Sequence, residues 1–145
     1  MPNKIKIGLA DDHVLLRDAL ATLIDGFGNC QVIVKASNGE ELIKAMQNGQ
    51  VPDVLILDLN MPKISGWEVA TWVQEHQPEI RVLMLTMYDS ELSLIRLLQA
   101  GVKGFLKKDI HPDELKQAIQ TVMDTGYYYS NYTSSRIAQL FRVND

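Results

Sequence analysis

A few side chains in this 145-residue chain have the types and spacing to do chemistry together. Asp11 and Asp12 follow one β-branched apolar run, Asp58 closes another, Thr86 closes a third, and Lys107 and Lys108 close a fourth. If those runs are neighbouring strands, three carboxylates, a hydroxyl and an ammonium meet at one edge. Three close carboxylates repel one another unless a proton or a cation intervenes. An all-oxygen set without Cys or His suits Mg²⁺, which keeps several waters and uses only one or two protein carboxylates. The remaining carboxylate can then attack phosphorus, as in enzymes that form an aspartyl phosphate. A lysine beside it would neutralise charge on the phosphoryl oxygens, and a threonine could donate a hydrogen bond to one of them.

Taken singly, most of these residues have a plain structural use. An Asp after a strand often caps the next helix, so either Asp11 or Asp12 alone reads as a cap. A Thr in a strand and a solvated Lys after one are ordinary. Asp58 is harder to dismiss, because an acid ending so apolar a run has little structural excuse. Four strand ends supplying one coherent phosphoryl site is the stronger observation. Competing site types are absent from the sequence: it has no Gly-x-x-x-x-Gly-Lys-[Ser/Thr] loop, no Gly-x-Gly-x-x-Gly and no Gly-x-Ser-x-Gly elbow. His13, His76 and His111 are scattered, and His13 reads as a helix-start residue rather than a catalytic base.

The elements that must position these groups alternate along the chain. Lys4–Ala10, Val32–Ala36, Asp53–Asp58, Ile80–Thr86 and Gly104–Lys107 read as short strands. Val54–Leu57 and Val82–Leu85 are continuously apolar, as strands covered on both faces should be, whereas the polar interruptions around Cys30–Ser37 mark an edge. Leu16, Ala19, Leu20, Leu23, Ile24 and Phe27 form one helical stripe, and Leu115, Ala118, Ile119 and Val122 another. Asn38 with Glu41 predicts an N-cap and capping box, and Gly49 a stop. Helices are also expected over Gly66–His76, over Asp89–Ala100 up to Gly101, and from Pro112 onward. The Asp89–Ala100 segment carries leucines over more than one face, which fits either a helix sunk in a groove or a surface for a partner. Strand–helix repeated five times predicts an α/β fold: a parallel sheet with right-handed crossovers and helices on both faces. In such sheets the working site lies beyond the carboxyl ends of the strands.

Composition narrows the field further. The chain is one domain's length, with 46% apolar and 22% charged residues, so disorder and low-complexity arrays are excluded. Its single cysteine, Cys30, cannot form an internal disulfide or a multi-cysteine zinc site. No secretory signal or bilayer-length apolar run is present, and a cytoplasmic setting is expected. The net charge of −4 has the wrong sign for gripping nucleic acid. Beyond Gly126, Tyr127, Tyr128, Tyr129 and Tyr132 crowd among Ser and Asn, and Ile137, Leu140 and Phe141 give one last stripe. This tail reads as a linker with a nascent helix.

The pair Asp11-Asp12, the run Asp58-Leu59-Asn60-Met61-Pro62-Lys63-Ile64-Ser65-Gly66, Leu85-Thr86 and Gly104-Phe105-Leu106-Lys107-Lys108-Asp109 together resemble a bacterial two-component response regulator receiver domain. The resemblance covers roughly residues 4–125. It implies a doubly wound, flavodoxin-like fold with a five-stranded parallel sheet of order 2-1-3-4-5 and five helices. It implies Asp58 as phosphoacceptor, and Mg²⁺ held by Asp11, Asp12, Asp58 and the backbone carbonyl of Asn60. Thr86 matches the switch hydroxyl, Phe105 the switch aromatic, and Lys108 rather than Lys107 the lysine at the phosphoryl group. Asn60 and Tyr88 match positions that tune how fast the phosphoryl group is lost.

The Lys108-Asp109 form, with Gly126-Tyr-Tyr-Tyr-Ser130, is similar to the NarL/FixJ-type subfamily, whose members commonly carry a LuxR-type helix-turn-helix domain after a linker. On that resemblance, residues 1–125 form the receiver and 126–145 a linker toward an output domain not in this chain. The expected partners are a sensor histidine kinase and a second copy of the chain; DNA would be reached only through the output domain, and no membrane is involved. A signalling switch is expected rather than an enzyme with steady turnover. The other readings are a Mg²⁺-dependent aspartyl-phosphate phosphohydrolase of the haloacid-dehalogenase type, a stand-alone regulator, or a degenerate receiver that only binds.

Overall fold

Four consecutive apolar side chains, Val54 to Leu57, are fully buried, and they set the architecture. Successive residues of a strand point to opposite faces, so a continuously apolar strand needs cover on both sides. Val54 and Ile56 join one core cluster with Ile7, Leu9, Leu83 and Leu115, and Leu55 and Leu57 join the other with Val34, Leu42, Val69 and Met84. Burying side chains of this size stabilises the fold by about 1.5–3 kcal/mol each.

The computed structural model describes residues 3–59, 61–86 and 99–128. Its elements are β1 (Ile5–Ala10), α1 (Val14–Asp25), β2 (Cys30–Ala36), α2 (Gly39–Gln47), β3 (Val54–Asp58), α3 (Gly66–His76), β4 (Arg81–Thr86), β5 (Gly104–Lys107) and α4 (Pro112–Thr125). The five strands form one sheet in the order β2-β1-β3-β4-β5. All four pairings are parallel. The clusters show the double winding: α2 and α3 cover one face, α1 and α4 the other. The helix expected over Asp89–Ala100 lies almost wholly outside the described residues, as do Asn60, Tyr88, the Thr86 side chain and the tail from Tyr129 on. No helix among the described residues is long and apolar enough to cross a membrane.

Several boundaries follow the expected chemistry. Asn38 caps α2, its side chain accepting from Glu41 N at 2.9 Å. The return bond of the capping box goes elsewhere: Glu41 Oε2 accepts from Ser37 N, one residue before the cap. Gly126 closes α4 in the left-handed conformation at φ 92, where the absence of a Cβ removes the penalty. Two expectations need correction. Ala19 is exposed rather than part of the buried stripe, and Phe27 lies just past the end of α1. Strand β2 starts at Cys30 instead of Val32, because it stays in register with Ile5 before slipping by one residue between Ile7 and Gly8.

Candidate functional site

Two acids at the carboxyl ends of β1 and β3 meet because the register of the sheet puts those ends side by side. Asp58 ends β3 opposite Leu85 of β4, and Ala10, the residue before Asp11, sits opposite Leu57. Asp11 N donates to Ala36 O at 3.1 Å, so the chain leaves β1 still tied to the end of β2. Asp58 is 1% exposed and Asp11 2%. Asp12, one residue on, is exposed.

The approach of α3 closes the floor of this site. Gly66 N donates to Leu59 O at 3.1 Å. A Cβ at Gly66 would stand 2.6 Å from the carbonyl oxygen of Asp58 and 2.9 Å from Leu59 Cα. Only glycine allows that contact with backbone, which gives Gly66 a role in holding the end of β3 that spacing alone does not reveal. Between them, Lys63 adopts φ 66, an uncommon conformation for a non-glycine residue.

Asp11 is held by the start of α1. Its Oδ1 accepts from His13 N at 2.8 Å and lies 3.0 Å from His13 Nδ1. His13 is the N-cap of α1, so neither Asp11 nor Asp12 serves as the cap. Its ring also reaches to 3.4 Å from Asp12 Oδ1. The second oxygen, Asp11 Oδ2, is buried without a hydrogen-bond partner, and a buried carboxylate oxygen of that kind is costly unless a cation satisfies it.

Lys108 supplies positive charge from the other side. Its Nζ is 3.1 Å from Asp58 Oδ1 and 3.9 Å from Asp11 Oδ2, and its side chain is only 12% exposed. Lys107 is exposed. The separation of the two neighbours follows from the pleat, which turns successive side chains to opposite sides as β5 ends. Phe105 is buried at 4% exposure and pairs with Met84, two residues before Thr86. The backbone of Thr86 pairs with Lys107 at the same edge.

The residues present fit a divalent cation. Asp11, Asp12, His13 and Asp58 each offer one ligand atom, and the four atoms lie within 4.8 Å of one another. The buried Asp11 oxygen without a hydrogen-bond partner agrees with such a use. The reading of His13 as a helix-start residue holds, since it is the N-cap of α1, but residue order alone does not show that its imidazole reaches Asp11 and Asp12. Its nearness depends on the turn between β1 and α1, which residue spacing does not specify.

The chain matches the family model for the response regulator receiver domain over residues 7–120. It is 37% identical over 123 residues to the nitrate/nitrite response regulator protein homolog of Haemophilus influenzae, covering 84% of this chain and 58% of that protein. It is 35% identical over 141 residues to the oxygen regulatory protein NreC of Staphylococcus carnosus, covering 97% of this chain and 64% of that one. The chain thus spans less than two thirds of these curated relatives. Among solved structures, the signal receiver domain of the response regulator NarL from Mycobacterium tuberculosis superposes with a TM-score of 0.77 at 32% identity, covering 86% of this chain and 99% of that one. A LuxR-family two-component response regulator from Aurantimonas sp. SI85-9A1 gives 0.85 at 26% identity, covering 97% and 99%.

Proposed function

This chain belongs to the response regulator receiver family, with NarL- and LuxR-type relatives, and on that premise we propose that it is a switch operated by phosphorylation of Asp58. A carboxylate oxygen of Asp58 attacks phosphorus presented on a phosphohistidine of a sensor kinase or on a small phosphodonor. The new O–P bond forms as the bond from phosphorus to the donor breaks, and the electron pair leaves with the donor. The observation that carries this reading is the burial of Asp58 at the carboxyl end of β3, with the Lys108 ammonium 3.1 Å from its Oδ1. Lys108 thereby orients the acceptor and stands ready to hold a phosphoryl oxygen.

Asp11, Asp12 and Asp58, with the backbone carbonyl of Asn60, would hold Mg²⁺; when bound, Mg²⁺ neutralises charge on the phosphoryl oxygens. The buried, unsatisfied oxygen of Asp11 supports that ligand set. Thr86 and Phe105 complete the switch. A phosphoryl group on Asp58 draws the Thr86 hydroxyl toward it, and Phe105 turns into the space this leaves. Phosphorylation then shifts the balance between two states that exist beforehand, through contacts that differ between them.

The chain is a signalling switch without steady turnover, acting in the cytoplasm. Its output runs through self-association and a DNA-binding domain of the kind its LuxR-family relatives carry. A phosphohydrolase reading loses support because the acid closes the third strand of a receiver sheet.

The test is intact-protein mass after incubation with Mg²⁺ and acetyl phosphate. One phosphoryl adduct on the wild type, none on Asp58→Ala and none without Mg²⁺ is the expected result. An unmodified wild type that also fails to change structure with beryllofluoride would leave a receiver that only binds.

A further inference from the structure

The two residues that follow Gly126 are fastened to β5 by several independent contacts. Gly126 turns the chain at the end of α4, and Thr125 Oγ1 accepts from Tyr127 N at 3.4 Å. Lys103 Nζ stands 5.1 Å from the centre of the Tyr127 ring, within cation–π range. Tyr128 N donates to Lys103 O at 2.9 Å, and the residue bridges Gly104 in parallel register. Its side chain packs against the core cluster that holds Leu106, Leu115 and Ala118, and its hydroxyl donates to Glu114 Oε1 at 3.1 Å. The approach is close, for a Cβ at Gly104 would stand 2.3 Å from Tyr128 O. Strand β5 therefore cannot shift at this level without disturbing the strap laid along its edge.

Gly104 adjoins Phe105, which is 4% exposed and belongs to the core cluster on the other face of the sheet. The strap is thus closed while Phe105 is buried, the position assigned above to the phosphorylated state. Resting on that reading of Thr86 and Phe105, we propose that the Tyr127–Tyr128 strap is coupled to the switch: its pairing with β5 and the buried Phe105 stabilise one another. Phosphorylation of Asp58 then tightens the strap and fixes the chain that follows Tyr128 to the edge of β5. The coupling runs both ways, so a closed strap raises the affinity of Asp58 for a phosphoryl mimic by the same factor.

Amide hydrogen exchange by NMR, with Mg²⁺ and with or without beryllofluoride, tests this on the wild type. Beryllofluoride should slow exchange of the Tyr128 amide at least about fivefold, and that of Gly26, which closes the end of α1 through Thr22 O, less than about twofold. Tyr128→Ala, outside the acidic site, should bind beryllofluoride more weakly by the factor that the wild-type exchange shows. The exchange measurement needs only the wild type and stands whether or not that variant folds. A Tyr128 amide that exchanges equally fast or faster while resonances around Asp58 shift, or equal binding by a folded variant, would overturn the inference and leave the switch intact. Absence of any shift around Asp58 would remove the switch reading itself, and the inference with it.

Discussion

One aspartate precedes strand β3 and another closes it, and the two sit in opposite surroundings. At the amino end, Asp53 Oδ2 accepts from Lys6 N at 2.9 Å. Its backbone also accepts from Arg81 N and donates to Lys6 O. Asp53 stitches three strands together, and its charge stays near solvent. At the carboxyl end, Asp58 is buried beside Asp11, and the nearby charge that answers them is Lys108. The same residue type five positions along is a structural clamp in one place and, on the proposed function, the phosphoryl acceptor in the other. The difference lies in what neighbouring strands bring to each end: backbone N–H groups at one, acids and an ammonium at the other.

The sharpest way to break that comparison is to remove the ammonium. Lys108→Ala should slow adduct formation from acetyl phosphate about 100-fold, as loss of one preorganised electrostatic group does. Lys107→Ala should leave the rate unchanged, read from the time course of intact mass. Next in size is the backbone contact beneath Asp58. Gly66→Ala puts a Cβ 2.6 Å from Asp58 O, and should cost about 3 kcal/mol in urea unfolding. On the proposed metal site, millimolar Mg²⁺ should raise the melting temperature of the wild type, and Asp11→Asn should abolish that rise by neutralising one of its acids. Asp53→Ala should cost only about 1 kcal/mol, the net worth of one hydrogen bond, and leave adduct formation untouched.

A smaller effect concerns a carboxylate far from the site. Tyr128 OH donates to Glu114 Oε1 at 3.1 Å, and burial together with that acid pushes the phenol up to about 12. A raised folded value favours the protonated phenol, so its contribution is complete below the ordinary value of 10.0 and is lost as pH climbs through about 12. Tyr128→Phe should therefore lose less stability than the wild type between those two values, measured by urea midpoints.

How much of this the residues announce depends on whether burial or a turn decides the outcome. The wholly apolar β3 and β4 runs place two strands at the centre of the sheet, and the acid ending β3 marks its working edge, all readable from residue type. The Gly66–His76 helix matches its expected bounds, because Ser65 accepts from Glu68 N at one end and Pro78 follows the other. What resisted reading is set by contacts between distant segments. The slip between Ile7 and Gly8 moves the start of β2, and no local pattern encodes it. Asp11 and Asp12 look equivalent in the chain, but the exit from β1 buries one and exposes the other. The tail reads as linker from Gly126 on, yet Tyr128 N donates to Lys103 O at 2.9 Å and Tyr128 bridges Gly104, so the chain pairs with β5 past that point.

The most direct test of the contrast along β3 is to locate the phosphoryl group itself. Acetyl-phosphate-treated protein would be reduced with borohydride, which converts an aspartyl phosphate to homoserine, and then mapped by tandem mass spectrometry. Homoserine at position 58 alone, with Asp11, Asp12 and Asp53 intact, is the predicted result. Homoserine at any of those three positions, or at none, would contradict the assignment of Asp58 as the acceptor.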